Sequence, residues 1–309
     1  MLKRFLFIQF IFSFLLLYGE ESIEQAIDKW QEVSGKEIVI FVNNTNKSQK
    51  IFNGTKKSPF KTIEAAFTYL SGLNKKDIKA TIYITGSFTS KNVYVITIPT
   101  KIVGFDDHKN EDTEKKASSY ITFEKNAGFV VASSHLFIEK CSISRREFID
   151  EPRSVPILYS SNSTINIKDV SLNAKEGGTL FRFIESNVNM QAMVINSNQN
   201  GYCNMIETIK SKLKIKDVKF NCNGRFVVSI DSSASFVDMD AINCNIQAYL
   251  FAIVLKANDG EANIKNSTFS VEGKYVTSDE AIIYSNQTKL DVKDLELKGF
   301  MRESKLKNN

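Results

Sequence analysis

The sequence predicts an all-β protein, a right-handed parallel β-helix with short N-terminal capping helices. Three observations support this fold class. One hydrophobic spacing recurs along the second half of the chain, a β-type segment precedes most copies, and Asn residues follow several copies at a matching position. Pro is scarce, with 4 residues in 309, which is typical of strands joined by polar turns.

Residues 1–19 are expected to be a secretory signal peptide. Lys3 and Arg4 precede an apolar segment over 5–18, and two glutamates follow Gly19. The apolar segment is shorter than the roughly 20 residues of a membrane-spanning helix. We therefore expect a secreted, periplasmic or cell-surface protein. An uncleaved signal anchor is the alternative, because the residues before Glu20 form a poor cleavage site.

Residues 20–80 are predicted to form an N-terminal cap region. A helix is expected over 22–34, a strand over 36–44, and a second helix over 59–70. Ser58-Pro59 is a suitable N-cap and first-turn pair for the second helix. The apolar residues of each helix share one face: Ile23, Ala26, Ile27 and Trp30 in the first, and Ile63, Ala66, Phe67 and Leu70 in the second.

Residues 81–300 are predicted to form the coils. In each copy of the repeat, two apolar residues separated by one position are followed, after a gap of two positions, by a second such pair. Alternation puts both members of a pair inside, and the extra residue between the pairs marks a bend. The copies are Leu136-Ile138-Cys141-Ile143, Ile165-Ile167-Val170-Leu172, Val188-Met190-Met193-Ile195, Leu213-Ile215-Val218-Phe220, Ala234-Phe236-Met239-Ala241, Ala262-Ile264-Ser267-Phe269 and Leu290-Val292-Leu295-Leu297.

Such coils would stack at about 4.8 Å, and the β-type segments between copies would form a further wall. An antiparallel sandwich is the main rival, but it gives no reason for a bend at one recurring position. The Asn residues that follow the copies are expected to form a ladder of stacked side chains: Asn173, Asn196, Asn221 and Asn243.

Cysteine positions follow from the same alignment of coils. Cys222 and Cys244 each follow a ladder Asn in adjacent coils, which predicts a disulfide, with two free thiols as the alternative. Cys141 falls on an inward position and is expected to be a buried thiol.

The cap region resembles the pectate-lyase-like superfamily of right-handed β-helices. The resemblance is carried by Asn53-Gly54-Thr55 and by Ser58-Pro59-Phe60-Lys61-Thr62-Ile63. In that superfamily the segment forms a helix that plugs the N-terminal end of the solenoid. The superfamily contains lyases, which use calcium-binding carboxylates and a basic Arg or Lys, and hydrolases, which use closely set Asp residues. The resemblance therefore implies that either set of residues could occur here. Activity does not follow from the fold.

Four aspartates fall at equivalent positions of the predicted coils. Asp169, Asp217, Asp238 and Asp294 share the bend position, but only Asp217 and Asp238 would be stacked neighbours. Two carboxylates are too few for a calcium site, so a solvated charged edge is the main interpretation. No His/Cys cluster has metal-ligand spacing, and no catalytic residue is assigned.

Candidate binding residues are therefore few. Arg145, Arg146 and Arg153 are expected in a protruding polar loop, which is the first-choice interaction site. Arg182 and Glu207 are expected to be stacked neighbours, forming either a surface ion pair or part of a groove.

The functional prediction is an exported, non-catalytic β-helix, a surface adhesin, antigen or glycan-binding scaffold. A polysaccharide or a host or cell-surface partner is expected, and no cofactor. Nucleic acid is not expected as a partner, because the net charge of +5 is thinly spread. The alternative is a polysaccharide lyase or glycoside hydrolase acting on an acidic polysaccharide, with calcium as a cofactor in that case.

Two features concern the outside of the solenoid. The basic tail over 301–309 either folds over the last coil or leaves the C-terminal end open to self-association. Sequons for N-glycosylation matter only in a eukaryotic secretory pathway; they occur at Asn43, Asn46, Asn53, Asn162, Asn266 and Asn286.

Overall fold

The computed structural model describes the chain from residue 30 onward, with gaps. The described ranges are 30–45, 53–73, 77–105, 119–146, 155–174, 179–197, 200–222, 225–234, 237–248, 251–257, 260–271, 283–286, 289–299 and 307–308. The expected signal peptide, most of the first expected helix and Arg153 lie outside these ranges.

Within those ranges the chain contains one α-helix, α1 (Ile63–Ser71), and 23 strands, all paired in parallel. In chain order the strands are β1 (Lys36–Asn43), β2 (Ile78–Ser90), β3 (Val93–Ile96), β4 (Thr100–Gly104), β5 (Ser119–Phe123), β6 (Gly128–Ala132), β7 (His135–Glu139), β8 (Ser142–Arg145), β9 (Leu158–Ser161), β10 (Thr164–Lys168), β11 (Ser171–Ala174), β12 (Phe181–Ile184), β13 (Asn187–Ser197), β14 (Asn200–Ile209), β15 (Lys212–Cys222), β16 (Arg225–Ala234), β17 (Val237–Ile242), β18 (Asn245–Ala248), β19 (Phe251–Ala257), β20 (Gly260–Val271), β21 (Ile283–Asn286), β22 (Lys289–Gly299) and β23 (Lys307–Asn308).

Successive coils stack these strands into three walls, which confirms the right-handed parallel β-helix. The first wall contains β1, β4, β7, β10 and β17, together with the first halves of β2, β13, β15, β20 and β22. The second wall contains β5, β8, β11 and β18 with the second halves of those long strands, and the two walls form one 14-stranded sheet. The third wall is a 9-stranded sheet running from β3 to β23.

From β7 onward, the bend between the first and second walls is made by one residue per coil in the left-handed backbone region. These residues have φ between 49° and 55°: Lys140, Asp169, Ala192, Asp217, Asn243, Asn266 and Asp294. Because φ is positive there, the chain turns a corner and the following residue points inward again. This is the extra residue that the repeated spacing predicts. Similar residues turn the chain from the third wall to the first: Ser133, Asn162, Glu185 and Lys210.

One copy of the repeat was placed wrongly. Met239 pairs with Leu213 on one side and Ala262 on the other, and Ile246 pairs with Phe220. The repeat of this coil therefore falls at positions 239, 241, 244 and 246, and not at the predicted positions that begin at Ala234.

The Asn ladder is confirmed for three of its four members. Asn196 Nδ2 donates to Asn173 Oδ1 at 2.9 Å, and Asn221 Nδ2 donates to Asn196 Oδ1 at 2.7 Å. Asn243 does not belong to this ladder, because it is the bend residue of its coil. Its Nδ2 donates to Oδ1 of Asp217, the bend residue of the preceding coil, at 2.9 Å.

The shifted copy also explains why the predicted Cys222–Cys244 disulfide is wrong. Lys219 pairs with Asn245, so Cys244 lies level with Val218 and points into the core. Cys244 is a free, buried thiol, and Cys141 is one as predicted. Burial raises the pKa of both thiols to about 12.

Helix α1 closes the N-terminal end of the solenoid, as the resemblance implies, but it begins later than predicted. Phe60 is held in extended pairing with Phe41 and Asn43, so Ser58-Pro59 cannot start the helix. Thr62 is the N-cap, and its side chain accepts a hydrogen bond from Ala65 N at 3.2 Å. The four predicted apolar residues are buried: Ile63, Ala66, Phe67 and Leu70.

The described part of the C-terminal tail pairs with the last coil. Lys307 and Asn308 continue the third wall by pairing with Tyr284 and Ser285. Among the residues described, no helix is long and apolar enough to cross a membrane.

The Asn ladder gives the first testable prediction. Asn196→Ala removes one donor and one acceptor from the middle of the ladder, so it should lower the free energy of unfolding by about 1–2 kcal/mol. Urea unfolding followed by circular dichroism measures this difference. Lys219→Ala, at an exposed position of the same wall, is the control and should change stability by under about 0.5 kcal/mol. Equal midpoints for the two variants would contradict a stabilising ladder.

Candidate functional site

A concave pocket of about 630 Å³ lies on the outer face of the first wall, and we call it the outer pocket. Its floor comes from four consecutive coils, which place two outward side chains each at equivalent positions: His135 and Phe137, Thr164 and Asn166, Asn187 and Asn189, Lys212 and Lys214. The remaining lining residues are Glu32, Val33, Ser34, Pro99 and Val188. The coil spacing of about 4.8 Å therefore sets the spacing of the polar groups along the floor.

Residues 30–34, here called the N-terminal segment, form one side of the outer pocket. The described end of the first expected helix is a single turn, in which Val33 N donates to Trp30 O at 3.3 Å. The Trp30 ring packs edge-on against Phe137, with centroids 5.1 Å apart. Trp30 is 4% exposed and Phe137 is 1% exposed, although Phe137 points outward from the wall. The segment thus covers the wall where the pocket begins.

Lys79 fastens this segment to the wall. Its Nζ donates to Trp30 O at 3.0 Å and to Val33 O at 2.9 Å, and it lies 5.1 Å from the Trp30 ring centroid. The ammonium is nearly buried, so the two carbonyls and the ring replace its water. Trp30 Nε1 also donates to Glu37 Oε1 at 3.3 Å. A hydrogen bond from Thr81 lowers the pKa of Glu37 and keeps it an acceptor.

Asn166 lies at the centre of the floor and is 2% exposed. Its Oδ1 accepts a hydrogen bond from Asn189 Nδ2 at 3.1 Å. Its Nδ2 is buried and meets no acceptor in the described parts of the chain. A buried donor without an acceptor costs about 1–3 kcal/mol, so a bound group or water that accepts this hydrogen bond would be favoured.

The charges at the outer pocket are mainly positive. Lys212 and Lys214 lie at its far end, and Lys214 Nζ is 3.9 Å from Asp240 Oδ2. Glu32 is the one carboxylate among the lining residues. Burial lowers the pKa of His135, so its imidazole is neutral at pH 7.

A second pocket of about 340 Å³ lies on the other side of Trp30. It is lined by Trp30, Gln31, Lys101, Glu139, Lys140, Lys168 and Asp169. Lys101 Nζ and Glu139 Oε1 form an ion pair of 2.9 Å, so these two groups neutralise each other.

The predicted loop site is only partly described, and one of its residues was misplaced. Arg145 ends β8 at an inward position of the second wall, between Phe123 and Ala174 of the neighbouring coils. It is 1% exposed, and its Nη2 donates to Ala127 O at 2.7 Å. It is therefore not part of a protruding loop, because its long side chain reaches a backbone acceptor inside the solenoid. Arg146 is exposed at the end of the described range.

The predicted stacking of Arg182 on Glu207 is confirmed, and it forms an ion pair. Arg182 Nε donates to Glu207 Oε2 at 2.8 Å across two coils of the third wall. This wall carries no residue of the outer pocket. The expected Asp217–Asp238 stack is wrong, because Asp238 pairs with Lys212 while Asp217 faces Asn243.

Sequence reasoning used the inward residues and missed the outward ones. His135, Asn166 and Lys214 occupy fixed positions relative to the recognised apolar pairs, so listing the residues next to those pairs would have found the floor. Trp30 gave no such signal, because its contacts depend on how the N-terminal segment packs on the wall.

No group of three or more His, Cys, Asp or Glu side chains with a geometry suited to a metal ion occurs among the residues that the structure describes. Glu32 stands without a second carboxylate on the described pocket lining. The described lining of the outer pocket thus offers mainly hydrogen-bonding groups.

No family model and no curated protein sequence matches the chain. Several solved structures are similar to it, and three of them are pectin methylesterases. The deglycosylated Aspergillus niger protein is 14% identical over 88% of this chain and 90% of that chain, with a TM-score of 0.43. Its penultimately deglycosylated form is 14% identical over 84% and 89%, with a TM-score of 0.38. PemA from Erwinia chrysanthemi is 10% identical over 81% and 89%, with a TM-score of 0.36.

The parallel β-helix itself is established by the strand pairing of the three walls.

The attachment of the N-terminal segment gives a second prediction. Trp30 is the chain's single tryptophan, so its fluorescence reports whether the segment stays on the wall. Lys79→Met removes both hydrogen bonds to the segment and should shift Trp30 emission to longer wavelength as the indole meets water. Lys91→Met, at a side chain that is 78% exposed, is the control and should leave the emission unchanged. An unshifted spectrum in Lys79→Met would show that other contacts hold the segment.

Proposed function

We propose that this protein binds a glycan in the outer pocket and that it does so as an exported scaffold without catalysis. The observation that carries the proposal is the polar floor of the pocket, where Thr164, Asn187 and Asn189 present hydrogen-bonding groups around Asn166, whose buried Nδ2 has no acceptor among the described residues. A sugar hydroxyl that reaches Asn166 supplies the missing acceptor and a donor for a neighbouring oxygen. Pockets with a few fixed polar groups on a preformed surface are typical ligand sites.

The composition of the floor supports a polyhydroxylated ligand. Thr164, Asn187 and Asn189 surround Asn166, and each offers both hydrogen-bond donors and acceptors. Because these groups recur from coil to coil, the floor suits a ligand that presents similar groups at intervals. A chain of sugar residues has this property.

The charge of the pocket supports a glycan that carries carboxylate or sulfate groups. Lys212 and Lys214 stand at one end, and ammonium groups attract such anions as point charges, although Lys214 also lies 3.9 Å from Asp240 Oδ2. The single carboxylate, Glu32, belongs to the N-terminal segment on the pocket's side. A secreted or cell-surface protein would meet such acidic polysaccharides outside the cell.

Binding without hydrolysis fits the acidic groups of the described lining. Most glycoside hydrolases use two carboxylates, about 5–5.5 Å or 6.5–9.5 Å apart, one of them to protonate the leaving group. The described lining of the outer pocket contains Glu32 alone. The polar floor therefore favours recognition over hydrolysis by this mechanism.

The proposal predicts that Asn166→Asp weakens glycan binding. The substitution keeps the shape of the side chain and an oxygen for Asn189, but it replaces the buried donor with an acceptor. The dissociation constant for uronate or sulfated oligosaccharides should rise at least about tenfold, which corresponds to about 1.4 kcal/mol. Isothermal titration calorimetry with a panel of neutral and acidic oligosaccharides measures it.

The matched control is Asn126→Asp, the same change at an exposed turn residue outside the pocket. It should leave the dissociation constant unchanged. Equal binding by the two variants, or no binding of any oligosaccharide by the wild-type protein, would contradict the proposal.

A second candidate function, a polysaccharide lyase, is favoured by one observation. The lowered pKa of His135 leaves a neutral imidazole in the outer pocket at pH 7, as removal of a proton next to a uronate carboxylate requires. The nearby lysines would stabilise the carboxylate as charge develops on it. This candidate needs no second carboxylate.

The lyase candidate predicts a defined pH profile. A His base acts only when it is neutral, and the pKa of His135 lies below its ordinary value of about 6.5. Formation of unsaturated uronates, followed by ultraviolet absorbance, should be constant above pH 7 and fall as the pH drops through the lowered pKa. His135→Gln should abolish it, whereas His108→Gln, at the only other histidine, should not. A wild-type protein without product at any pH, with or without calcium, would exclude this candidate.

A further inference from the structure

Two sequons lie at corners of the solenoid where the backbone turns outward. Asn162 and Asn266 have φ of 48° and 49°, and both residues are exposed. Each is followed by a buried Ser and then by a Thr, so each forms an Asn-Ser-Thr sequon. A side chain at such a corner has room for a covalent substituent, because the neighbouring coils pair through the backbone and not through this side chain.

The other sequons offer different surroundings. Asn43 is half-buried at the end of β1, and its Oδ1 accepts hydrogen bonds from Thr45 N at 2.8 Å and from Thr45 Oγ1 at 2.7 Å. Asn53 is exposed, and its Oδ1 accepts from Thr55 in the same way. Asn46 and the side chain of Asn286 lie outside the described residues.

Asn162 differs from all of these in its position relative to the outer pocket. The residue that completes its sequon, Thr164, is a lining residue of that pocket. Asn162 itself turns the chain from the third wall into β10, the strand that also carries Asn166. A group attached to Asn162 would therefore stand at the rim of the pocket, whereas one attached to Asn266 would stand at the bend between β20's two halves, away from it.

We propose that Asn162 is an N-glycosylation site and that its glycan screens the outer pocket. The donor would be an oligosaccharide carried on a lipid pyrophosphate, the co-reactant of this modification. A bond forms between Asn162 Nδ2 and the anomeric carbon of the first sugar. The bond between that carbon and the pyrophosphate oxygen breaks, and the amide proton and the lipid pyrophosphate leave. The screening part of this proposal rests on the proposed function, while the modification does not.

Occupancy is tested on the full chain, translated with microsomes that carry the glycosylation machinery. Asn162→Asp and Asn266→Asp are matched variants, because Asp is accepted in the left-handed region and neither residue lines the pocket. On a gel, Asn162→Asp should migrate as a protein with one glycan fewer than the wild type. Enzymatic release of the glycan in heavy-oxygen water should label residue 162 of the wild-type protein. An imported chain with residue 162 unmodified, or a chain that is not imported, would overturn the proposal.

Screening is tested first without a ligand. Lys214 lines the outer pocket, and Lys293 is exposed three coils away in the stack. Acetylation of Lys214 relative to Lys293, measured by mass spectrometry, should be several-fold faster in Asn162→Asp than in the glycosylated wild-type protein. In Asn266→Asp the ratio should equal the wild-type ratio. Equal ratios in all three proteins would overturn the screening.

Ligand binding separates this proposal from the proposed function. Acidic oligosaccharides should bind about tenfold more tightly to Asn162→Asp than to the glycosylated wild-type protein, and Asn266→Asp should behave as the wild type. If no form binds any oligosaccharide while residue 162 carries a glycan, glycan binding fails and the modification stands. If all forms bind the oligosaccharides equally tightly, glycan binding stands and the screening fails.

Discussion

The structure depends on the parallel stacking of coils, in which each coil forms its strand hydrogen bonds with its neighbours and not within itself. This stacking requires equivalent residues to point the same way in every coil. One left-handed residue at each bend meets the requirement, because it lets the inward direction resume after the corner. The hydrophobic core, the Asn ladder and the floor of the outer pocket all follow from it.

The sequence revealed the fold because stacking leaves a trace in the inward residues. Leu213, Ile215, Val218 and Phe220 show the spacing clearly, since all four are large and apolar. The following coil shows the spacing weakly, because Ala241 and Cys244 are small. Ala234 and Phe236, earlier in the chain, have the same spacing as a pair of inward residues. Errors over Asn243, Asp238 and the disulfide all come from this one misplaced coil.

The site was harder to predict for two physical reasons. Outward residues on a wall need not be apolar, so His135 and Asn166 do not belong to a recurring sequence pattern. The other reason is that the N-terminal segment contacts the wall through residues distant in the chain, as Lys79 does with Trp30, 49 positions away. Apolar spacing over 22–34 predicts a helix, of which the described ranges contain only the turn at its end, where Trp30 contacts Phe137.

The position of the outer pocket depends on which groups contact the middle outward side chain of each first-wall strand. At one end Trp30 covers Phe137. At the other end the side chains satisfy one another, since Asp240 accepts from Asn263 Nδ2 at 3.0 Å and lies 3.9 Å from Lys214 Nζ. Between these ends Asn166 keeps a buried donor without a described acceptor. Along this row of described residues the wall leaves a hydrogen bond unmade at Asn166, which is why the proposed glycan site is centred there.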